Sequence, residues 1–254
     1  MIEPELQLQR PAEGLALLTI NRPKARNALT TTLQFELDAA LKHLMQDDEV
    51  RAVVVTGAGD RAFSAGYDLK EMHGFDQDWM LLNYLDRQGL MAAVASYPKP
   101  LIGALNGLSH GGGAILATLF DIRVGCSRSE FRFTAAAYNG VNNTWQLPRI
   151  VGQAKALEFT MTARPVSAEE ALSAGLLNHL VGDDEVLDKA LEIAAMIAAN
   201  PEGGIRWHKA LIRANAGRSI DEALQAENGV MSGELRPGKP SAVFREFLAT
   251  RRPV

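Results

Sequence analysis

Apolar residues along this chain follow two rhythms. Leu15-Ala16-Leu17-Leu18-Thr19-Ile20 and Ala52-Val53-Val54-Val55-Thr56 are continuous apolar runs, closed by Asn21-Arg22-Pro23 and by Gly57. Short runs of this kind predict strands buried on both faces. Leu101–Leu105 and Ile122–Gly125 read the same way. Between the first two runs, Leu33, Leu37, Leu41 and Leu44 recur at helical intervals. Thr31 and Gln34 have the spacing of a capping box at the start of that helix, which stops near Asp47-Asp48. An irregular turn leads to Asp68, a helix is predicted across Trp79 to Ser96, and another follows Gly113. Strands alternating with helices predict an α/β layered fold. From Ser167 the strands give out. Ser167 and Glu170 have a second capping-box spacing, Gly175 can end that helix, and Val186, Ala190, Ile193 and Ile197 mark the next, terminated by Asn200-Pro201. The chain thus closes in a helical subdomain, with no linker rich enough to separate it fully.

Composition narrows the classes of function. The chain has 254 residues, of which 47% are hydrophobic and 22% charged, enough for one large core, or for one core with a smaller appendage. The net charge of −4 provides no broad basic field for a nucleic acid backbone, and Arg251-Arg252 is too small to serve as a basic arm. The single cysteine, Cys126, lies in an apolar run and reads as an inert buried thiol in a reducing compartment. The first residues lack a signal-peptide pattern and no apolar run approaches the ~20 residues that cross a bilayer, so a cytoplasmic protein without a membrane partner is expected. No histidine pair has metal-binding spacing, and no metal is expected.

The candidate chemistry lies in Asn106-Gly107-Leu108-Ser109-His110-Gly111-Gly112-Gly113, where an apolar strand enters a glycine turn and then a helix. Glycines let main chain approach a ligand closely, and the first amides of a helix lack internal partners. Such a turn suits a carbonyl oxygen that gains negative charge. Close packing of helix on strand is the competing explanation. Gly107 to Gly111 also matches the G-x-S-x-G elbow of serine hydrolases, which makes a serine esterase using Ser109 a minority alternative. Gly57-Ala58-Gly59-Asp60-Arg61-Ala62 matches a dinucleotide fingerprint, but no helical period follows it, and it is rejected.

Taken in order, these segments resemble the enoyl-CoA hydratase/isomerase (crotonase) superfamily. Asn21 to Leu29 resembles its first CoA-contacting loop, Ala62 to Leu69 its second, and Lys99-Pro100 through Gly113 its oxyanion segment. Leu147 to Gly152, Ala168 to Leu176 and the ending Phe247 to Pro253 also fit. The resemblance implies a crotonase-like spiral of ββα units with a C-terminal helical subdomain. It sets residues 1–195 as the α/β core and 196–254 as the helical oligomerisation region of a homotrimer or homohexamer. It implies that the N–H groups of Tyr67 and Gly112 form an oxyanion hole for an acyl-CoA thioester. Ala25, Arg26, Ala65, Asp68, Leu69, Lys70 and Gly111 would hold that substrate. Coenzyme A arrives as part of the substrate, and no separate cofactor is expected. Asp68 and Asp121 read as structural carboxylates.

The sequence departs from the family where protons are moved. The two glutamates of a hydratase would fall at Ile115 and at Ala135, or Ala136 if the loop is shifted, and none of these can transfer a proton. Such catalysis is worth roughly a hundred- to ten-thousand-fold, so ordinary hydration is expected to be severely impaired. A few residues on, Asn142 and Asn143 could position a water or an acyl substituent, while Asn139 reads as a turn residue. Tyr138, His43 and His208 read as structural, and His110 and His73 are outside candidates for a polar role. Tyr84, Met91 and the Trp145 loop are expected to shape the acyl pocket. A non-catalytic acyl-CoA binder is the rival class.

Overall fold

The computed structural model describes residues 4–76, 78, 89–236 and 238. Two compact units divide the chain, residues 1–199 and 200–254.

The first unit is built on a six-stranded sheet and a three-stranded sheet. Strands β1 (Leu6–Gln9), β2 (Leu15–Ile20), β3 (Ala52–Gly57), β5 (Leu101–Leu105), β7 (Ile122–Gly125) and β9 (His179–Leu180) lie side by side in that order. Only β1 runs antiparallel to its neighbour. The second sheet holds β4 (Ala62–Ser64), β6 (Leu108–His110) and β8 (Phe131–Arg132), all parallel. Each consecutive pair β3–β4, β5–β6 and β7–β8 gives one strand to each sheet before a helix returns. This is the expected spiral of ββα units.

The apolar runs are continuous because both faces of the large sheet are covered. Val53 and Val55 point into one cluster with Leu33, Leu37 and Leu41 of α1 (Thr31–Gln46), while Val54 points into another with Val186, Ala190 and Ile193 of α7 (Val186–Ala198). Cys126 is fully buried in the second cluster. Asp121 is structural: its carboxylate accepts the Leu101 N–H at 2.8 Å and its own N–H donates to Leu101 O at 2.8 Å.

Several expectations need correction. The start of α1 is capped by Thr30, whose hydroxyl accepts the Leu33 N–H at 3.1 Å; Thr31 lies inside the helix and bonds to the Glu71 carboxylate. The stretch before Asp68 contains β4, and α2 (Leu69–His73) follows. A three-residue strand is too short to carry a period. Strands do not cease at Ser167: β9 pairs with β7, so α6 (Ala168–Ser173) and α7 belong to the sheet-bearing unit. Ser167 does cap α6, accepting the Glu170 N–H at 3.3 Å, but the Glu170 carboxylate is engaged by Arg164 and Lys155. Of the helix expected across Trp79 to Ser96, residues 89–95 are helical and form α3, with Met91 buried. Trp79 and Tyr84, like the ending from Phe247, lie outside the described residues.

In the second unit, α8 (Glu202–Ala214) and α9 (Ile220–Ser232) form a hairpin. A full capping box at Ser219 and Glu222 opens α9. Trp207 Nε1 donates to Glu234 at 3.1 Å, and His208 Nδ1 lies 2.7 Å from Gly204 O within α8. His208 is thus structural, and His43 is an exposed residue of α1.

Candidate functional site: two glycine turns brought together

Two turns meet where β4 and β6 end. Gly66 has φ +91, a conformation that favours glycine, and a Cβ there would lie 2.6 Å from His110 O and 2.8 Å from Gly112 N. The turn bearing Tyr67 therefore touches the turn that opens α4 (Gly112–Leu119). Gly113 is held as tightly, since a Cβ would come within 2.3 Å of Ser64 O.

Hydrogen bonds fix which way the amides face. Leu29 N–H donates to Gly66 O at 2.7 Å, and Asp68 N–H donates to Leu29 O at 3.0 Å. Gly66 C=O and Tyr67 N–H share one trans peptide and point in opposite directions. Because the carbonyl faces Leu29, the Tyr67 N–H faces away from it. Gly112 is the first residue of α4, so its amide has no carbonyl one turn back to receive it. The Gly111 N–H is spent on Arg132 O at 2.9 Å, and Gly111 O accepts the Ile115 N–H.

The first CoA-type loop joins this arrangement directly. Pro23–Ala25 forms a 3-10 turn, Arg26 follows with φ 52, and Arg26 O accepts the Ala65 N–H at 2.9 Å. Ala25, Arg26, Leu69 and Lys70 are exposed, while Ala65, Asp68 and Gly111 are half-buried, Gly111 directly preceding Gly112. Asp68 caps α2 through Lys70 and Glu71 N–H groups. Burial raises its carboxyl pKa, but hydrogen bonds from Arg22 and those amides outweigh it and hold it below the usual range.

The loop after β8 is built differently. Ala135–Tyr138 is a 3-10 turn closed by Asn139 at φ 54, the turn role expected of that asparagine. Tyr138 is 71% exposed, which excludes a core role. Ile115 is buried on α4. Thr118, one turn further along, has its hydroxyl 2.7 Å from Ile115 O and 3.3 Å from Asn143 Oδ1. One hydroxyl proton can serve only one of these, and the Asn143 Nδ2 is buried with no partner among the described residues. Asn142 is half-buried beside it.

Two features were invisible in the sequence. His110 Nε2 lies 2.8 Å from Glu130 Oε1, across neighbouring strands. Burial lowers the imidazole pKa, and Glu130 partly opposes it. Arg22 reaches Glu5, Ala28 and Asp68 at once. His73 is exposed on α2. Ser109 lies within β6, is 1% exposed, and its hydroxyl has no partner among the described residues. A nucleophile elbow needs an exposed hydroxyl on a strand-to-helix turn with a base in reach, and Ser109 has none of these. The rejected dinucleotide fingerprint runs into β4 instead of a helix, and its Gly57 and Gly59 carbonyls are bound by Asn106 Nδ2.

The family model described as enoyl-CoA hydratase/isomerase matches residues 10–248. The short-chain-enoyl-CoA hydratase of Clostridium acetobutylicum is 34% identical over 84% of this chain and 83% of its own length. The 1,2-epoxyphenylacetyl-CoA isomerase of Escherichia coli is 31% identical over 98% of this chain and 97% of its own length. Among solved structures, the enoyl-CoA hydratase of Bacillus anthracis superposes with a TM-score of 0.92 at 29% identity, covering 99% of this chain and 98% of that one.

Proposed function

This chain belongs to the enoyl-CoA hydratase/isomerase family, and on that premise we propose that it is an acyl-CoA enzyme that stabilises a thioester enolate but does not carry out ordinary hydration. The observation that carries this reading is the approach of the two turns, with Gly112 N only 2.8 Å from where a Gly66 Cβ would stand. The N–H groups of Tyr67 and Gly112 bind the thioester oxygen as it gains charge, each contributing on the order of 3 kcal/mol. Ala25, Arg26, Ala65, Asp68, Leu69, Lys70 and Gly111 line the way for the CoA portion. Ile115 and Ala135 stand where proton-transferring glutamates would be, so the reaction draws on enolate stabilisation more than on acid–base chemistry: decarboxylation, thioester hydrolysis, retro-Claisen cleavage or a slow isomerisation. Asn142 and the under-partnered Asn143 meet a polar acyl substituent or a water. The exposed apolar side chains of Ile212, Ile220 and Leu224 favour a homotrimer or homohexamer assembled through residues 196–254.

Crotonyl-, 3-hydroxyacyl-, malonyl- and 3-ketoacyl-CoA are incubated with the protein and followed by mass. Conversion of one of the last three with little hydration of crotonyl-CoA is the expected result. Tight binding with every thioester intact identifies a binder without catalysis, and rapid hydration of crotonyl-CoA overturns the assignment of the reaction. Labelling by a fluorophosphonate that is lost in Ser109→Ala would favour the esterase alternative.

A further inference from the structure

Arg22 lies outside the turns that carry the proposed oxyanion donors, yet an unbroken line of hydrogen bonds leads from it to one of them. Its Nη1 donates to Ala28 O at 2.6 Å. The Ala28 carbonyl and the Leu29 N–H belong to one peptide group, and that N–H donates to Gly66 O at 2.7 Å. The Gly66 carbonyl and the Tyr67 N–H belong to the next. We propose that Arg22 is a positioning residue whose positive charge orients and polarises the Tyr67 N–H through these two peptide groups. The proposal rests on the enolate-stabilising function given above.

Two further contacts hold the guanidinium in line, and a third fixes the Arg22 backbone. Nε donates to Glu5 Oε1 at 2.9 Å, Nη1 also reaches Asp68 Oδ2 at 3.0 Å, and the Arg22 main-chain N–H donates to Asn27 Oδ1 at 3.0 Å. The Arg22 and Asp68 side chains are 18% and 14% exposed, which limits screening by solvent. Hydrogen bonds arranged head to tail strengthen one another, and a cation at the acceptor end of such a chain makes the last N–H a better donor to an anion. Asp68 closes the arrangement from the other side: it directly follows Tyr67, so the salt bridge anchors the turn as the relay polarises it.

A 3-ketoacyl-CoA tests this, because its enolate absorbs in the near ultraviolet and reports the oxyanion donors without requiring turnover. The enolate fraction per bound thioester is compared between the wild type, Arg22→Gln, Arg22→Lys and Lys42→Gln, an exposed lysine of α1 away from the site. Amide exchange at Leu29 and at 66–68 is followed in parallel. The relay predicts a bound enolate fraction about tenfold lower in Arg22→Gln at equal occupancy, a smaller loss in Arg22→Lys, and none in Lys42→Gln. It also predicts faster exchange at Leu29 and 66–68 in both Arg22 variants. Arg22→Lys keeps the charge and serves if Arg22→Gln does not fold. An enolate fraction in the Arg22 variants equal to the wild type's overturns the relay, as does unchanged exchange at those amides. A wild type that does not enrich the enolate over free solution overturns the proposed function, and exchange then decides the relay by itself.

Discussion

The two halves of the proposed site are made of different material. Around Gly66 and Gly113, main chain faces main chain, and an added Cβ would collide with Gly112 N in one case and Ser64 O in the other. Across from them, the loop from Thr134 to Gln146 presents side chains, with Tyr138 71% and Val141 74% exposed. The half that would stabilise charge is fixed by backbone and tolerates almost no replacement. The half that would handle protons is a matter of side-chain identity, and there the proposed function has Ala135 and Ile115 in place of carboxylates. On that proposal the electrostatic device is kept while the reaction changes.

The contrast can be broken most forcefully at Gly66. Gly66→Ala forces a side chain at φ +91 into His110 O and Gly112 N, and enolate stabilisation should fall about a hundred- to a thousand-fold. Enolate absorbance of a bound 3-ketoacyl-CoA measures this, and a variant equal to the wild type would show that the turns need not meet. The next largest effect is a gain. Combined Ile115→Glu and Ala135→Glu should raise crotonyl-CoA hydration on the order of a hundredfold, followed by loss of the enoyl absorbance. No gain would mean that the loop half differs in placement as well as in identity.

Acid tests the frame that carries the loop into α5 (Leu147–Thr162) and α6. Arg164 binds Glu158 and Glu170, and Lys155 joins both carboxylates. Arg164, more than Lys155, brings the Glu170 pKa down to about 2, although burial acts against it. A carboxyl depressed in the folded state adds stability that is fully present above its unfolded value, about 4.3, and is lost as pH falls toward 2. Thermal unfolding of the wild type should weaken across that window, and Arg164→Ala should flatten the dependence. An identical slope in both would remove the network from the stability of this frame. The smallest effect belongs to Gly140→Ala. The nearest atom to its Cβ, Ala135 O, is 3.3 Å away and φ is not positive, so stability should change by no more than about 0.5 kcal/mol. A large loss there would make the loop half as constrained as the glycine half.

The same contrast explains what the sequence revealed. Four strands of the large sheet, β2, β3, β5 and β7, were readable because continuous runs such as Val53-Val54-Val55, buried on alternate faces, leave an uninterrupted apolar signature. β4, β8 and β9 were not, because two or three residues cannot establish a period. The glycine turns stood out because close backbone approach leaves its mark in composition. The partners of Arg22 and of His110 did not, because Glu5, Asp68 and Glu130 are brought to them by the folding of strands far apart in sequence. The cap of α1 is Thr30 and not the expected Thr31, since both carry the same hydroxyl and only backbone geometry separates them.

Asn27 places a constraint of another kind on this scaffold. Fully buried at φ 54, it accepts from Arg22 N–H, donates to the Ala58 and Ala62 carbonyls through Nδ2, and offers its own carbonyl to Ser64 Oγ. One amide side chain thereby measures the chain length between positions 22 and 27 and again between 58 and 62. An insertion or deletion in either interval would strip a donor or acceptor that nothing nearby could replace. Divergence among such proteins should therefore proceed here by exchange of outward-facing residues, with the spacing of these segments left untouched.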